Sequence, residues 1–402
     1  MIALCVFITA VGVVLSLPAW SLLLLTLCAG RQPKSDTAVT AIAFKPPLVS
    51  APRVAILVPA HNESSNILPT LACLLPQLKA GDRLLVIADN CTDDTAALAA
   101  AAGATVVGRH NADLRGKGYA LAFGVDALRA DPPDVVVVID ADCTVSSDGI
   151  AQVCRRSMET ACPVQMLDLM HAPQGAGLRI RTLEFAWLVK NYVRPLGAFR
   201  LGAACHLMGT GMAIPWPLMS TANLATGHIA EDMKLGVDLA LAGHPTQFFP
   251  AARVDSFFPA DSAVARVQKS RWEHGHLATL TQELPRLLGQ ALRTRKASLW
   301  ALSLDLLIPP LALYFLLLMA IMLPLSIVGG IFMPIYQPLA AFMCATALAF
   351  GVAIGLSWGR YARHLLSLRE LVLAPLYAFW KIPVYVAYAL YKRSGWVRTD
   401  RN

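Results

Sequence analysis

The chain has 402 residues, 56% hydrophobic and 15% charged, with a formal net charge of +8 at pH 7. That composition is too apolar for an ordinary soluble protein. No basic stripe with interleaved aromatics is present, so nucleic acid is not expected as a partner.

The apolar residues are unevenly placed. Residues 1–30 carry no charge and residues 299–358 carry only Asp305, while the stretch between has normal charge density. This predicts a soluble domain bracketed by membrane segments. Basic residues flank the apolar runs: Arg31, Lys34 and Lys45, then Arg293, Arg295 and Lys296, then Arg360, Arg363, Lys392, Arg393, Arg398 and Arg401. Such placement fits the positive-inside rule and attraction to an anionic leaflet. Nine scattered cysteines with no CxxC pair argue against a zinc site or a disulfide framework. Free thiols suit a reducing compartment.

In chain order, residues 1–30 read as an uncleaved transmembrane anchor, since no basic segment precedes the apolar run. A linker over 31–52 contains Pro46, Pro47 and Pro52. The domain over 53–290 begins with short apolar runs at 54–59, 84–88, 105–107 and 135–139. They alternate with helical spacing at 67–78, 95–102 and 118–129. This predicts an α/β, Rossmann-like, mostly parallel sheet with helices on both faces. Ligands bind beyond the carboxyl ends of such strands. Polar clusters follow the strands there: His61-Asn62-Glu63, Asp89-Asn90 and Asp140-Ala141-Asp142.

Beyond the domain, 291–310 reads as an interfacial helix, with Asp305 and the Pro309-Pro310 pair. The membrane region 311–391 holds two spans, 311–332 and 339–358. A third apolar stretch, 371–391, is interrupted by Pro375, Lys381 and Pro383 and is expected to be re-entrant or interfacial. A basic tail, 392–402, then lies in the cytoplasm.

Several short motifs carry chemistry. Two carboxylates at Asp140 and Asp142 after a buried strand can converge on a hard cation that holds diphosphate oxygens; alone, the pair also reads as a solvated turn. Asp89 ends a strand and is placed to meet a nucleobase, whereas Asp93 or Asp94 suits a helix cap. Gly116 and Gly118 around Lys117 let backbone amides approach an anion. Glu231-Asp232 opens a helical stretch, where carboxylates complement the helix dipole or one serves as a general base. Gln268, Arg271 and Trp272 share one helix face; they suit diphosphate and sugar binding or an interfacial anchor.

The succession Val-Pro-Ala-His-Asn-Glu (58–63), Asp89, Gly116-Lys117, Asp140-Ala141-Asp142, Glu231-Asp232, Gln-x-x-Arg-Trp (268–272), then apolar spans, resembles the family 2 glycosyltransferases. The resemblance is closest to the branch of cellulose, hyaluronan and poly-N-acetylglucosamine synthases. It covers residues 54–275 and implies a GT-A fold and inverting transfer from a nucleotide-diphosphate sugar, a UDP-sugar first, with Mg²⁺ or Mn²⁺. By resemblance Pro59, His61, Asn62, Glu63, Asp89, Lys117, Asp140, Ala141 and Asp142 bind the donor. Asp140 and Asp142 hold the metal. Asp232, beside Glu231, is the base. Gly209, Thr210, Gly211, Gln268, Arg271 and Trp272 face the diphosphate and acceptor.

Two departures stand out. Ala230 occupies the place where many such synthases have Thr, and the spans are fewer than in polymer-exporting relatives. The acceptor is therefore a growing polysaccharide, helped by a homo-oligomer or an export partner, or a lipid glycosylated once. The expected location is the bilayer of a bacterial-type inner membrane, with the catalytic domain cytoplasmic. A transporter would carry more charge in its spans than Asp305 and Lys381. A binding-only relative would lack one of Asp140, Asp142 and Asp232.

Overall fold

The computed structural model describes residues 2–30, 51–259, 262–324, 326–327, 337–383 and 385–386, with side chains described except in 2–8 and 262–270. Most of the expected linker and all of the tail 392–402 lie outside the described residues.

Helix α1 (Ile2–Ala29) precedes strand β1 (Val54–Ala60). The chain then alternates: α2 (Ile67–Leu74), β2 (Arg83–Asp89), α3 (Thr95–Ala101), β3 (Thr105–Arg109), α4 (Lys117–Leu128) and β4 (Val135–Val138). These strands are continuous apolar runs because the sheet is covered on both faces. Val135–Val138 is fully buried. Alternate residues of β1 enter different cores. Val54, Ile56 and Val58 pack with α2, whereas Ala55 and Leu57 pack with α4. Helix α2 buries Ile67, Thr70, Leu71 and Leu74, the stripe that a 3.6-residue period places on one face.

The second half departs from simple alternation. It contains β5 (Thr144–Val145), α5 (Gly149–Thr160), β6 (Val164–His171), α6 (Leu178–Leu188), α7 (Arg194–Arg200), β7 (Met212–Pro215), α8 (Glu231–Leu241) and β8 (Gln247–Phe257). The eight strands form one sheet in the order β3-β2-β1-β4-β7-β6-β8-β5. β1 to β4 run parallel, and so do β6 and β8. β7 is antiparallel to both of its neighbours, and β5 is antiparallel to β8. The expectation of a mostly parallel sheet therefore needs amending: the sheet is mixed beyond β4. The strand order reverses between β1 and β4, which opens a crevice where Asp140 begins the turn after β4.

A long helix, α9 (Ser262–Thr294), runs through residue 290, so no backbone break marks the change in composition there. α10 (Ala297–Leu306) buries Leu299, Leu302 and Leu306 against α8 and α9. It is bent by 73° against the next helical run, Leu311–Met322, which starts with α11 (Leu311–Leu317). The expected span over 311–332 is described only in part. α12 (Gln337–Ser357) follows, then α13 (Leu368–Phe379).

Among the described residues, two helices, Thr9–Ala29 and Gln337–Ala362, are long and apolar enough to cross a membrane, or three if the bent pair is one span. α1 and α12 pack together through polar groups as well as apolar ones. Trp20 Nε1 donates to Thr346 Oγ1 at 3.2 Å, and Tyr361 Oη donates to the Ala29 carbonyl at 2.8 Å. Such bonds hold apolar helices together where burial alone gives little preference. Gly197 lets α7 touch α1, since a Cβ there would run into the Leu25 carbonyl.

Candidate active site

A cleft of about 160 Å³ opens beside the carboxyl end of β4. Lys117, Asp140, Gly209, Glu231, Asp232, Arg271 and Trp272 all line it, although 155 positions separate the first from the last. Lys117, at the first turn of α4, forms an ion pair with Asp140 and donates to the Gly209 carbonyl at 2.8 Å. Burial opposes its charge, but Asp140, Glu231 and Asp232 outweigh that and raise it above an ordinary lysine. Gly209 has φ +93°, a left-handed conformation that glycine adopts without steric cost. A Cβ there would stand 3.3 Å from Asp232 Oδ2 and 3.7 Å from Lys117 Nζ, crowding the cleft.

Glu231 and Asp232 occupy the first turn of α8. Burial, then the neighbouring Asp232, lifts the Glu231 carboxyl from 4.5 to about 7, with Lys117 opposing. Glu231 thus binds its proton more tightly when folded. Its stabilisation is full below about pH 4.5 and is lost as pH rises through about 7. Glu231→Gln should flatten the decline of melting temperature between pH 4.5 and 7 relative to the natural chain. An unchanged slope would contradict this reading of Glu231.

The residues expected at the donor form a second cluster, at the ends of β1 and β2. Pro59 lies within β1, paired with Ile87. His61 Nδ1 donates to the Asp89 carbonyl at 2.6 Å. Asn62 is left-handed (φ +55°) and accepts the Thr92 N–H at 2.8 Å. The Glu63 N–H donates to Thr95 Oγ1 at 2.8 Å, and its carboxylate accepts from Asn66 Nδ2. Asp89 is buried and ion-paired with Arg109 at 2.6 Å. None of these lines the cleft just described. Asp93 accepts from Thr95 and Ser64; against the opposing effect of burial, these bonds hold it down at about 2. It is a loop clasp; the N-cap residue of α3 is Asp94, which makes no side-chain cap bond.

Of the Asp140-Ala141-Asp142 turn, Asp140 lines the cleft, Ala141 is buried, and Asp142 lies outside the lining, its Oδ1 reached by Cys143 Sγ at 3.7 Å. Thr210 is buried; its Oγ1 accepts the Asp140 N–H at 3.1 Å, so it positions the turn rather than lining the cleft. Gly211 bonds to Val138 and Met166 through its backbone. Gln268 is on α9, but its side chain lies outside the described residues.

The lining residues not expected as site residues include Trp187, Lys190 and His228. Trp187 meets Trp272 with ring centroids 4.8 Å apart, and Lys190 lies over the Trp187 ring at 5.3 Å. Lys190 sits in a π-helical turn, Val189–Val193, a distortion that often accompanies functional sites. The i, i+3 spacing of Trp187 and Lys190 was the available signal.

Behind the cleft lies a buried polar layer. Arg194 is ion-paired with Asp305 at 2.8 Å, next to His206 and His276. Burial, then the nearby cations Lys190 and Arg194, pushes His276 down to about 3, so its ring is neutral. Lys381 is ion-paired with Glu273. Both charges that interrupt the C-terminal apolar segments are therefore matched by residues of the catalytic half.

Among the described residues no group of three or more His, Cys, Asp or Glu side chains gathers as a metal centre. Asp140 and Asp142 offer oxygen donors only, a set suited to Mg²⁺ or Mn²⁺. Asp140 is open to the cleft, with its side chain 36% exposed. Of the two, Asp140 alone lines the cleft, so a cation there would take most of its ligands from a diphosphate and water.

Residues 52–275 match a family model described as glycosyltransferase like family 2. The chain is 24% identical over 250 residues to an N-acetylglucosaminyltransferase of Rhizobium leguminosarum bv. viciae, covering 59% of each chain. It is 25% identical over 240 residues to the probable glycosyltransferase YdaM of Bacillus subtilis (strain 168), covering 56% of this chain and 55% of that one. The chain thus spans under two thirds of the length of these curated relatives. The mannosyltransferase PcManGT from Pyrobaculum calidifontis, solved with GDP-Man and Mn²⁺, superposes with a TM-score of 0.56 at 18% identity. That alignment covers 96% of this chain and 99% of the other, a likeness of fold.

Proposed function

The chain belongs to the glycosyltransferase-like family 2 and is a transferase enzyme, and on that premise we propose that it moves a sugar, with inversion, from a nucleotide-diphosphate sugar to an acceptor at a membrane surface. The observation that carries this reading is the convergence of Lys117, Asp140, Glu231, Asp232, Arg271 and Trp272 on one cleft. The donor's diphosphate lies beside Lys117 and Arg271, whose charges match its own. The nucleoside extends toward Asp89 at the end of β2. Mg²⁺ or Mn²⁺, held by Asp140 and Asp142, would supply positive charge to the leaving diphosphate. Asp232 takes the proton of the acceptor hydroxyl as its oxygen bonds to the anomeric carbon. The bond from that carbon to the diphosphate breaks, and the nucleoside diphosphate leaves with the electron pair. Trp272 offers an aromatic face to a sugar ring.

The test is incubation of the purified protein in lipid with radiolabelled UDP-, GDP- and dTDP-sugars, with products sorted into lipid-soluble and polymeric fractions. Sugar transfer from one donor class is expected; no transfer from any of them sinks the reading.

The same reading makes α1 and α12 spans and keeps the catalytic domain cytoplasmic. α13 then lies along the membrane surface, consistent with its exposed apolar row Leu368, Val372, Leu376 and Phe379. The chain turns at Trp380, and the pairing of Lys381 with Glu273 keeps this segment against the catalytic domain. A full span there would also strand a lysine in hydrocarbon, at a cost of about 2.5–3.5 kcal/mol. A reporter placed after Asn402 should be inaccessible from outside intact cells; external labelling would overturn this topology.

A further inference from the structure

A second cavity, of about 240 Å³, borders the cleft, with Trp187, Lys190 and Trp272 lining both. Its far end is apolar, formed by Phe315 of α11, Phe350 and Ile354 of α12, and Leu371 of α13. α12 belongs to a candidate span, so this end lies where a bilayer would surround it. Its polar residues sit at the catalytic end: Lys190, Arg194, His276 and the Glu273–Lys381 pair. One wall, α13, is fastened at both ends. Glu370 pairs with Arg181 of α6, and Lys381, just past the helix, pairs with Glu273 of α9. Arg194 and Lys381 already have acidic partners, whereas Lys190 has no carboxylate within ion-pair distance among the described residues.

We propose that this groove holds the hydrocarbon chain of a lipid acceptor, whose oxygen-bearing head reaches past the touching rings of Trp187 and Trp272 toward Asp232, with Lys190 beside it. This rests on the transferase reading of the cleft and narrows its acceptor from polymer or lipid to lipid. The polarity gradient carries the assignment. An aliphatic chain matches the Phe315, Phe350, Ile354 and Leu371 end, and a head oxygen with negative charge density matches an unpaired lysine at the neck. A polysaccharide leaving by this route would lose its hydrogen bonds to water against an apolar wall. The substrate would enter sideways from the bilayer and would not need to leave it.

Two measurements test the proposal in the full chain held in lipid nanodiscs. In the first, Ala312→Phe and Ile354→Trp fill the groove far from the cleft. Each should lower transfer to diacylglycerol and to isoprenyl phosphate by about tenfold or more, since overpacking of that size costs one such factor or more. Donor affinity should stay unchanged, and the more affected of the two lipids identifies the head. Wild-type transfer by both variants, or transfer by the natural chain only to soluble oligosaccharides, overturns the proposal. In the second, the unmutated protein is irradiated with each lipid carrying a diazirine near its tail end. Labelling of Phe315, Phe350 or Ile354 is expected. Labelling confined to the outward residues Leu348 and Val352 overturns the groove assignment without any variant having to fold. Because cross-linking needs no turnover, it separates this failure from failure of the transferase reading, which absence of any sugar transfer would reveal.

Discussion

Asp232→Asn is expected to leave nucleotide-sugar affinity nearly unchanged while lowering turnover by at least ~10²-fold, the range seen when a general base is removed. The substitution keeps the size of the side chain and its place in the first turn of α8, so the helix start still packs. It removes the basic lone pair. Asp232 Oδ2 faces the same space as Gly209 and Lys117 in the cleft. Glu231 is a poor substitute for it. Its Cβ packs beside Gly118 in the first turn of α4, whereas Asp232 Oδ2 is the carboxylate oxygen beside Gly209. Glu231→Gln should therefore cost less turnover than Asp232→Asn. Calorimetric donor affinity measured alongside turnover decides the matter. If Asp232→Asn loses both in equal proportion, the residue is structural.

The parallel half of the fold was readable because its signals are local. Val135–Val138 is an unbroken apolar run, and the 67–78 segment has helical spacing, so each names its own element. The remaining strands gave no such signal. β5 has two residues and β7 four, and their partners lie far along the chain, Thr144 with Asp255 and Val138 with Met212. Antiparallel insertion of β7 depends on tertiary pairing that no short window records. The site divides in the same way. Motifs named Lys117, Asp140, Asp232 and Trp272, but Trp187 and Lys190 reach the cleft only through the π turn and the packing of α6 against α9. Asp305 and Lys381 were conspicuous as charges in apolar stretches. Their partners Arg194 and Glu273 lie over a hundred residues away and become visible only in three dimensions. These two pairs change what the charges mean. They dock the apolar segments onto the catalytic half, where a sequence reading alone would treat them as costs of insertion.

Chelation with EDTA should abolish transfer, and Mn²⁺ or Mg²⁺ should restore it; Asp142→Ala should lose ~10²-fold or more in turnover that added metal does not restore. Unlike Asp232→Asn, these changes should weaken donor binding as well, because a cation at Asp140 and Asp142 would join protein to diphosphate. The structure gives this prediction a second part. With only two carboxylates in the turn, and no larger cluster of ligands among the described residues, the protein alone offers few of the six oxygens that octahedral Mg²⁺ or Mn²⁺ takes. Asp140 is also already paired with Lys117, which competes for its charge. Calorimetric titration with Mn²⁺ should thus give weak binding to the protein alone and much tighter binding once UDP is present. Full turnover in EDTA, or undiminished turnover of Asp142→Ala, would remove the metal from the reaction. Tight Mn²⁺ binding without nucleotide would place it at some other set of ligands.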